Sequence, residues 1–381
     1  MNTKKKCCRF IFWQKNTCPL QAPWIRPLAQ RLPEGQVMAV LQEGLPAERL
    51  ASGWAQPGSA PDYGGAKIFM SPGEGQLESL INEKPDDTIH IFSGAVYVPS
   101  INRALKRALR AGAVAGLLSE ARDSRGLHGA LRTAHSFFHE RTCRHKVDFV
   151  LAIGRHAYGW YRKCGFDAER LFPFCYTVEN PKPVPAAGRI SGGVVLTFVG
   201  QLIRRKGLDL LLEALGQTDR TGWTLRIIGA GTGRTVFEKQ AAELDLSDKV
   251  EFVGSLNNEA VRRELAGSDL LVLPSRWDGW GAVVNEALMS GVPVVCSDYC
   301  GAADLIIPGF NGEVFECASP GSLTRALNRW IAKGPLVPEV RARIARWSGR
   351  LEGAAVADYF LDIIEYVCAE RRTRPGPRWS S

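Results

Sequence analysis

The sequence predicts an α/β protein made of two parallel-sheet domains in series. Three observations carry that prediction. The 381 residues suffice for two domains of ordinary size, each with its own core. Short, nearly continuous apolar runs alternate with amphipathic stretches in both halves, as expected for strands covered by helices on both faces. The alternation is interrupted at residues 178–188, where Pro181, Pro183 and Pro185 disfavour both helix and central strand and mark an inter-domain linker. The resulting division is an N-terminal domain over 1–185 and a second domain over 186–345. A C-terminal helix over 346–370 is expected to pack back towards the first domain. The charged, proline-containing tail 371–381 is expected to be disordered.

In the first half, strands are expected at 9–13, 37–41, 88–93, 115–119 and 149–153. A helix over 101–110 places Leu105, Ala108 and Leu109 on one face. Residues 51–65, rich in Gly, Pro, Ala and Ser, read as loop. The second half restarts the pattern, with strands at 194–199, 224–228, 250–253, 270–273, 292–296 and 312–315. Helices over 208–215, 234–244 and 259–266, and one opening at Gly281, fall between them, and a last helical stretch covers 340–368. Ligands of open α/β sheets bind beyond the carboxyl ends of the strands, where the glycine loops of this chain lie.

Composition narrows the function classes. Hydrophobic content of 45% with 23% charged residues excludes a disordered chain. No apolar run approaches the roughly 18 residues that span a bilayer. The stretch 7–13 is short and broken by Arg9, so it reads as a first strand and not as a signal peptide. Ten cysteines are scattered without a CxxC pair or a His partner at zinc spacing, which suits reduced thiols of a cytoplasmic protein.

The net charge of +9 lies wholly in the first half: residues 1–185 carry 25 Lys/Arg against 16 Asp/Glu, and residues 186–381 carry 23 of each. A basic domain suits an anionic partner, either membrane lipid, a lipid-diphosphate acceptor or nucleic acid, or it is a solvated basic surface. No nucleic-acid module or base-stacking aromatic array accompanies the charge, so nucleic acid is not the expected partner.

The densest chemical signal is Ser275-Arg276-Trp277-Asp278-Gly279-Trp280-Gly281-Ala282-Val283-Val284-Asn285-Glu286, followed by Gly291 and Pro293 as a helix stop. A buried strand, a glycine turn and a helix start bring backbone N–H groups and the positive helix end to one spot, which suits a phosphate. Glu286 falls about 7 Å further along the axis from Gly281 at ~1.5 Å per residue. Its neighbours Val283, Val284, Ala287 and Leu288 imply a largely buried helix. A buried carboxylate needs hydrogen-bonding partners, and adjacent ribose hydroxyls match its two oxygens.

Phe198-Val199-Gly200-Gln201-Leu202-Ile203-Arg204-Arg205-Lys206-Gly207 supplies a second anion site. Gly200 lets a ligand approach the backbone, Lys206 offers a compact cation, and Arg204 or Arg205 a planar fork. Gly229-Ala230-Gly231-Thr232-Gly233 follows a strand but lacks the dinucleotide spacing, and Gly231 reads as a close-approach turn beside the nucleotide. Gly254 ends another strand, where backbone groups can meet a base edge.

With these motifs, residues from about 194 to 315 resemble the nucleotide-binding domain of retaining glycosyltransferases of family 4, the glycosyl transferases group 1. The family has the GT-B architecture of two Rossmann-like α/β/α domains facing each other across a cleft. Asp278 stands where the family has the first Glu of its Glu-x7-Glu pair, and Glu286 keeps the second. Gln201 replaces the usual Arg of the phosphate loop that ends at Lys206-Gly207. Asn311-Gly312 and Leu271, Pro274 and Ser275 also fit.

The resemblance implies that Lys206, with Arg205, holds the diphosphate. Backbone N–H groups of Gly279, Trp280 and Gly281 would meet phosphate and sugar, Asp278 the sugar hydroxyls and Glu286 the ribose. Gly200, Gln201, Gly231 and Gly254 complete the donor set. Many relatives carry a His after a first-domain strand. This chain has Leu118-Ser119-Glu120-Ala121 there, so Glu120 is one candidate for that contact and His90, on the preceding strand, the other.

The expected activity is same-face transfer of a hexose from a UDP-, GDP- or ADP-sugar to a lipid-linked or saccharide acceptor, with no metal. The expected setting is bacterial surface polysaccharide or glycolipid synthesis in the cytoplasm, with peripheral contact to an anionic membrane. A sugar-nucleotide epimerase and a catalytically inactive nucleotide-sugar-binding partner share the same donor features.

Overall fold

The computed structural model describes residues 9–44, 62–94, 98–180, 193–219, 221–368 and 371–380. These divide into two compact units. The first runs to Glu179 and takes in the chain from Leu351 onward, and the second spans Asn180–Arg350. The proline-rich linker expectation lies mostly outside the described residues, as do most of the loop read at 51–65 and the basic start of the chain.

The first unit is a seven-stranded parallel sheet ordered β3-β2-β1-β4-β5-β6-β7. The strands are β1 (Arg9–Asn16), β2 (Val37–Glu43), β3 (Lys67–Met70), β4 (Thr88–Ser93), β5 (Val114–Glu120), β6 (Phe149–Ile153) and β7 (Leu171–Phe174). Its helices are α1 (Ala22–Arg31), α2 (Glu74–Asn82), α3 (Pro99–Arg110), α4 (Gly126–His139) and α5 (Ala157–Lys163). The central strands bury nearly every side chain because helices cover both faces, so apolar residues occupy both of their sides. β7 contains Pro173, which is tolerated because the strand forms the sheet edge.

One face of this sheet is closed by the end of the chain. The last predicted helical stretch is two helices, α11 (Pro338–Ser348) in the second unit and α12 (Gly353–Val367) in the first. Phe360 of α12 packs on Phe10, Phe12 and Trp24, and Tyr359 stacks on Phe174. Gly353 permits the approach, since a Cβ there would lie 1.8 Å from the Pro23 carbonyl oxygen.

The tail departs from the expected disorder. Trp379 is buried edge-on against Tyr359, while the Arg374 guanidinium donates to the Leu171 carbonyl at 2.6 Å and lies over the Phe172 ring. Arg371 and Arg378 also pair with Asp362, so specific side-chain contacts hold a segment whose average polarity reads as unstructured.

The second unit is a six-stranded parallel sheet ordered β10-β9-β8-β11-β12-β13. Its strands are β8 (Val194–Val199), β9 (Trp223–Ile228), β10 (Val250–Gly254), β11 (Leu270–Leu273), β12 (Val294–Ser297) and β13 (Gly312–Phe315). Its other helices are α6 (Leu208–Gly216), α7 (Arg234–Glu243), α8 (Asn258–Gly267), α9 (Ala282–Met289) and α10 (Pro320–Ile331). Phe198, Leu211, Leu225, Ile227 and Val272 belong to one buried core. The strand order reverses between β8 and β11, and loops leaving that point diverge to opposite faces, opening a crevice at the carboxyl ends.

Candidate functional site

The crevice of the second unit is framed by the loops after β8 and β11, and glycines set how closely they lie. Gly200 N–H donates to the Ile228 carbonyl at 3.0 Å and Leu202 N–H to the Ala230 carbonyl at 2.9 Å, so the loop after β8 zips to the loop after β9 beyond their strands. A Cβ at Gly231 would sit 2.5 Å from the Leu202 carbonyl oxygen. The close approach read from Gly231 is therefore made to a neighbouring loop backbone. Gly254 has φ +89 and accepts from Gly229 N–H, so its glycine answers a backbone angle. Gly207, with φ +72, lies against the Pro274 carbonyl and docks the β8 loop on the β11 loop.

That docking brings Lys206 and Asp278 together. The ammonium Nζ lies 2.5 Å from Oδ2 of Asp278, and both side chains are largely buried. Arg205 is exposed and donates from Nη1 to the Trp277 carbonyl at 2.9 Å. Gln201 is also exposed. Sequence reasoning missed Arg276. Its guanidinium meets the Asp209 carboxylate with two 2.7 Å bonds and also donates to the Arg204 carbonyl, while its N–H donates to the Arg205 carbonyl. This clamp ties the Lys206 turn to the segment that carries Asp278. No local spacing signals it, because the partners are 67 residues apart.

Asp278 is held by its backbone: its N–H donates to the Tyr299 carbonyl and its carbonyl accepts from Gly301 N–H. Trp280 points its indole into the core, where Nε1 donates to Asn285 Oδ1 at 2.8 Å, so only its backbone can serve a ligand. Among the described residues, the N–H groups of Gly279 and Gly281 make no backbone hydrogen bond. Gly281 caps α9 at φ +92 and ψ 63, and a Cβ there would come within 2.8 Å of Cys300 Sγ. Gly281→Ala is accordingly expected to cost about 1–3 kcal/mol of stability, read as a lower urea midpoint with unchanged slope.

Glu286 lies one turn into α9, half-buried; its backbone carbonyl accepts from Ser290 N–H, but its carboxyl accepts no hydrogen bond from a described residue. Desolvation pushes its carboxyl up to about 7, offset in part by the Arg262 guanidinium on α8. A carboxyl in that state gains from any ligand that donates hydrogen bonds to it.

The first-unit candidates part company. His90 is fully buried in β4 between Trp13 and Phe92, accepts at Nδ1 from Trp13 Nε1 at 3.1 Å, and is held neutral by burial, its value lowered to about 3. It is a core residue. Glu120 ends β5, half-buried.

The family model described as glycosyl transferases group 1 matches residues 185–347, a span that holds all the second-unit residues above. Residues 185–347 belong to that family. A D-inositol 3-phosphate glycosyltransferase of Geodermatophilus obscurus is 29% identical over 234 residues, covering 57% of this chain and 51% of the relative. A glycogen synthase of Mycobacterium tuberculosis is 32% identical over 219 residues, 56% of this chain and 50% of the relative. The chain thus spans about half the length of these curated relatives.

Among solved structures, the lipopolysaccharide outer core galactosyltransferase WaaB aligns with a TM-score of 0.69 at 18% identity, covering 94% of this chain and 99% of that one. HepE of Anabaena in complex with UDP-glucose aligns at 0.63 and 14% identity, over 94% and 99%. The group 1 segment thus sits in a chain of GT-B fold with two Rossmann-like units.

Proposed function

We propose that this protein is a retaining glycosyltransferase that moves a hexose from a nucleoside-diphosphate sugar to an acceptor hydroxyl without a divalent metal. The observation that carries the reading is Glu286, a desolvated carboxyl without a hydrogen-bond donor, one helical turn beyond a start that presents the Gly279 and Gly281 N–H groups. A diphosphate at the helix start and a ribose diol on Glu286 satisfy both at once. In the reaction the bond from the anomeric carbon to the diphosphate oxygen breaks as the acceptor oxygen bonds to that carbon from the same face. The acceptor proton passes to the departing phosphate oxygen. Lys206 and the helix start stabilise the charge left on the diphosphate. Asp278 orients the sugar, Arg205 supports the diphosphate, and Glu120 contacts sugar or acceptor.

Support for the donor class comes from the solved neighbour bound to UDP-glucose, and for a cell-surface glycan or glycolipid product from the lipopolysaccharide galactosyltransferase. The cytoplasmic setting rests on the sequence, in which ten cysteines are scattered without the spacing of a disulfide framework or a zinc site. The test is a thermal-shift panel of UDP-, GDP- and ADP-sugars on wild type and Glu286→Ala, repeated with EDTA. One donor is expected to stabilise wild type with or without chelator and to leave the variant unmoved. A panel without a response, or an equal response from the variant, rejects the donor assignment.

A further inference from the structure

Helix α4 of the first unit is turned inside out. Leu127, Leu131, Ala134 and Phe138 follow at i, i+4, i+7 and i+11 and so share one face. That face is open: Leu127 is 77% exposed, Leu131 60% and Phe138 64%. The helix rests on its own unit through the opposite side, where Gly129 and Ser136 are its buried residues. A Cβ at Gly129 would lie 2.1 Å from the Ser124 carbonyl carbon, so the loop that leads into the helix folds closely over this side, away from the apolar face. An ordinary surface helix does the reverse, and an apolar face of this kind signals a partner.

Charge decides which partner. Residues 122–146 hold six Lys/Arg against two Asp/Glu, and one of the two acids, Glu140, is buried. Arg132, exposed, lies on the flank of α4 between the apolar face and the buried side, and Arg141 and Lys146, also exposed, follow the helix. A second copy docking by twofold symmetry would set this basic patch against itself. A surface of anionic lipid complements it, while bulky apolar side chains enter the acyl boundary. With 14 residues α4 is too short to span a bilayer and suits lying in its interface.

We infer that α4 is a membrane-docking helix that inserts Leu127, Leu131 and Phe138 into the interface of an anionic lipid bilayer. The inference goes beyond the donor site and does not rest on it. The triple variant Leu127→Ala/Leu131→Ala/Phe138→Ala keeps a strong helix former at each exposed position, so the fold is preserved.

The experiment is co-sedimentation of the full chain with vesicles of phosphatidylcholine alone and of phosphatidylcholine with phosphatidylglycerol, alongside sedimentation velocity without lipid. Wild type is expected to bind the anionic vesicles, more weakly in high salt, and the triple variant about tenfold or more less tightly. Absence of wild-type binding, equal binding by the variant, or a wild-type dimer that the variant abolishes each overturns it.

Discussion

Lys206→Ala is expected to lower kcat about a hundredfold to a thousandfold, the range for losing one charge-stabilising donor. Its Nζ is 2.5 Å from Asp278 Oδ2, held there by the Arg276 clamp and by Gly207 against Pro274. Removing the cation takes away the charge that grows in importance as the diphosphate departs. It also strands the Asp278 carboxylate, largely buried, beside an incoming anion. Donor affinity should therefore fall too, by less than turnover. Adding Asp278→Asn removes the repulsion and is expected to recover donor binding without recovering turnover, so the two effects are non-additive. Steady-state kinetics and donor titration of the two single variants and the double variant provide the check. A wild-type kcat for Lys206→Ala removes Lys206 from the chemistry.

The second large effect concerns Glu286 and pH. The folded protein keeps this carboxyl protonated up to about 7, whereas an unfolded Glu ionises near about 4.3. Between those values the folded state holds the extra proton, so Glu286's contribution to stability falls as pH rises and levels off above about 7. Hydroxyls that donate to the carboxylate favour its ionised form, so donor binding should release a proton. Affinity is then expected to rise as pH passes through about 7. Glu286→Gln should flatten that rise and cost about tenfold to a hundredfold in affinity above it, the range for hydrogen bonds to a charged group. Calorimetry in two buffers of different ionisation enthalpy reads the proton directly. Wild-type binding without proton release contradicts the ribose assignment.

What the sequence discloses follows from what each residue does locally. Strands β6 and β11 are legible because burial on both faces leaves an unbroken apolar run, and β8 because Thr197 alone interrupts one. β3 is hidden because Lys67–Met70 is a short, mostly exposed edge. α1 is hidden by Pro23 and Pro27 within it. In α4 the period is present but its apolar side faces outward, so pattern alone gives its face the wrong sense.

At the site, Lys206, Asp278 and Glu286 declare themselves through spacing to glycine turns. The Arg276–Asp209 clamp joins two distant segments and has no local mark. Gly231 stands out as a glycine, but its reason is the Leu202 backbone.

The aromatic seal made by α12 bears on how the polypeptide leaves the ribosome. Phe10, Phe12, Trp24 and Phe174 all emerge long before Tyr359 and Phe360, their cover. During synthesis the leading half must wait with a sticky flank uncovered, a period in which holdase chaperones compete with aggregation. A fragment cut at Glu179 would never leave that vulnerable condition.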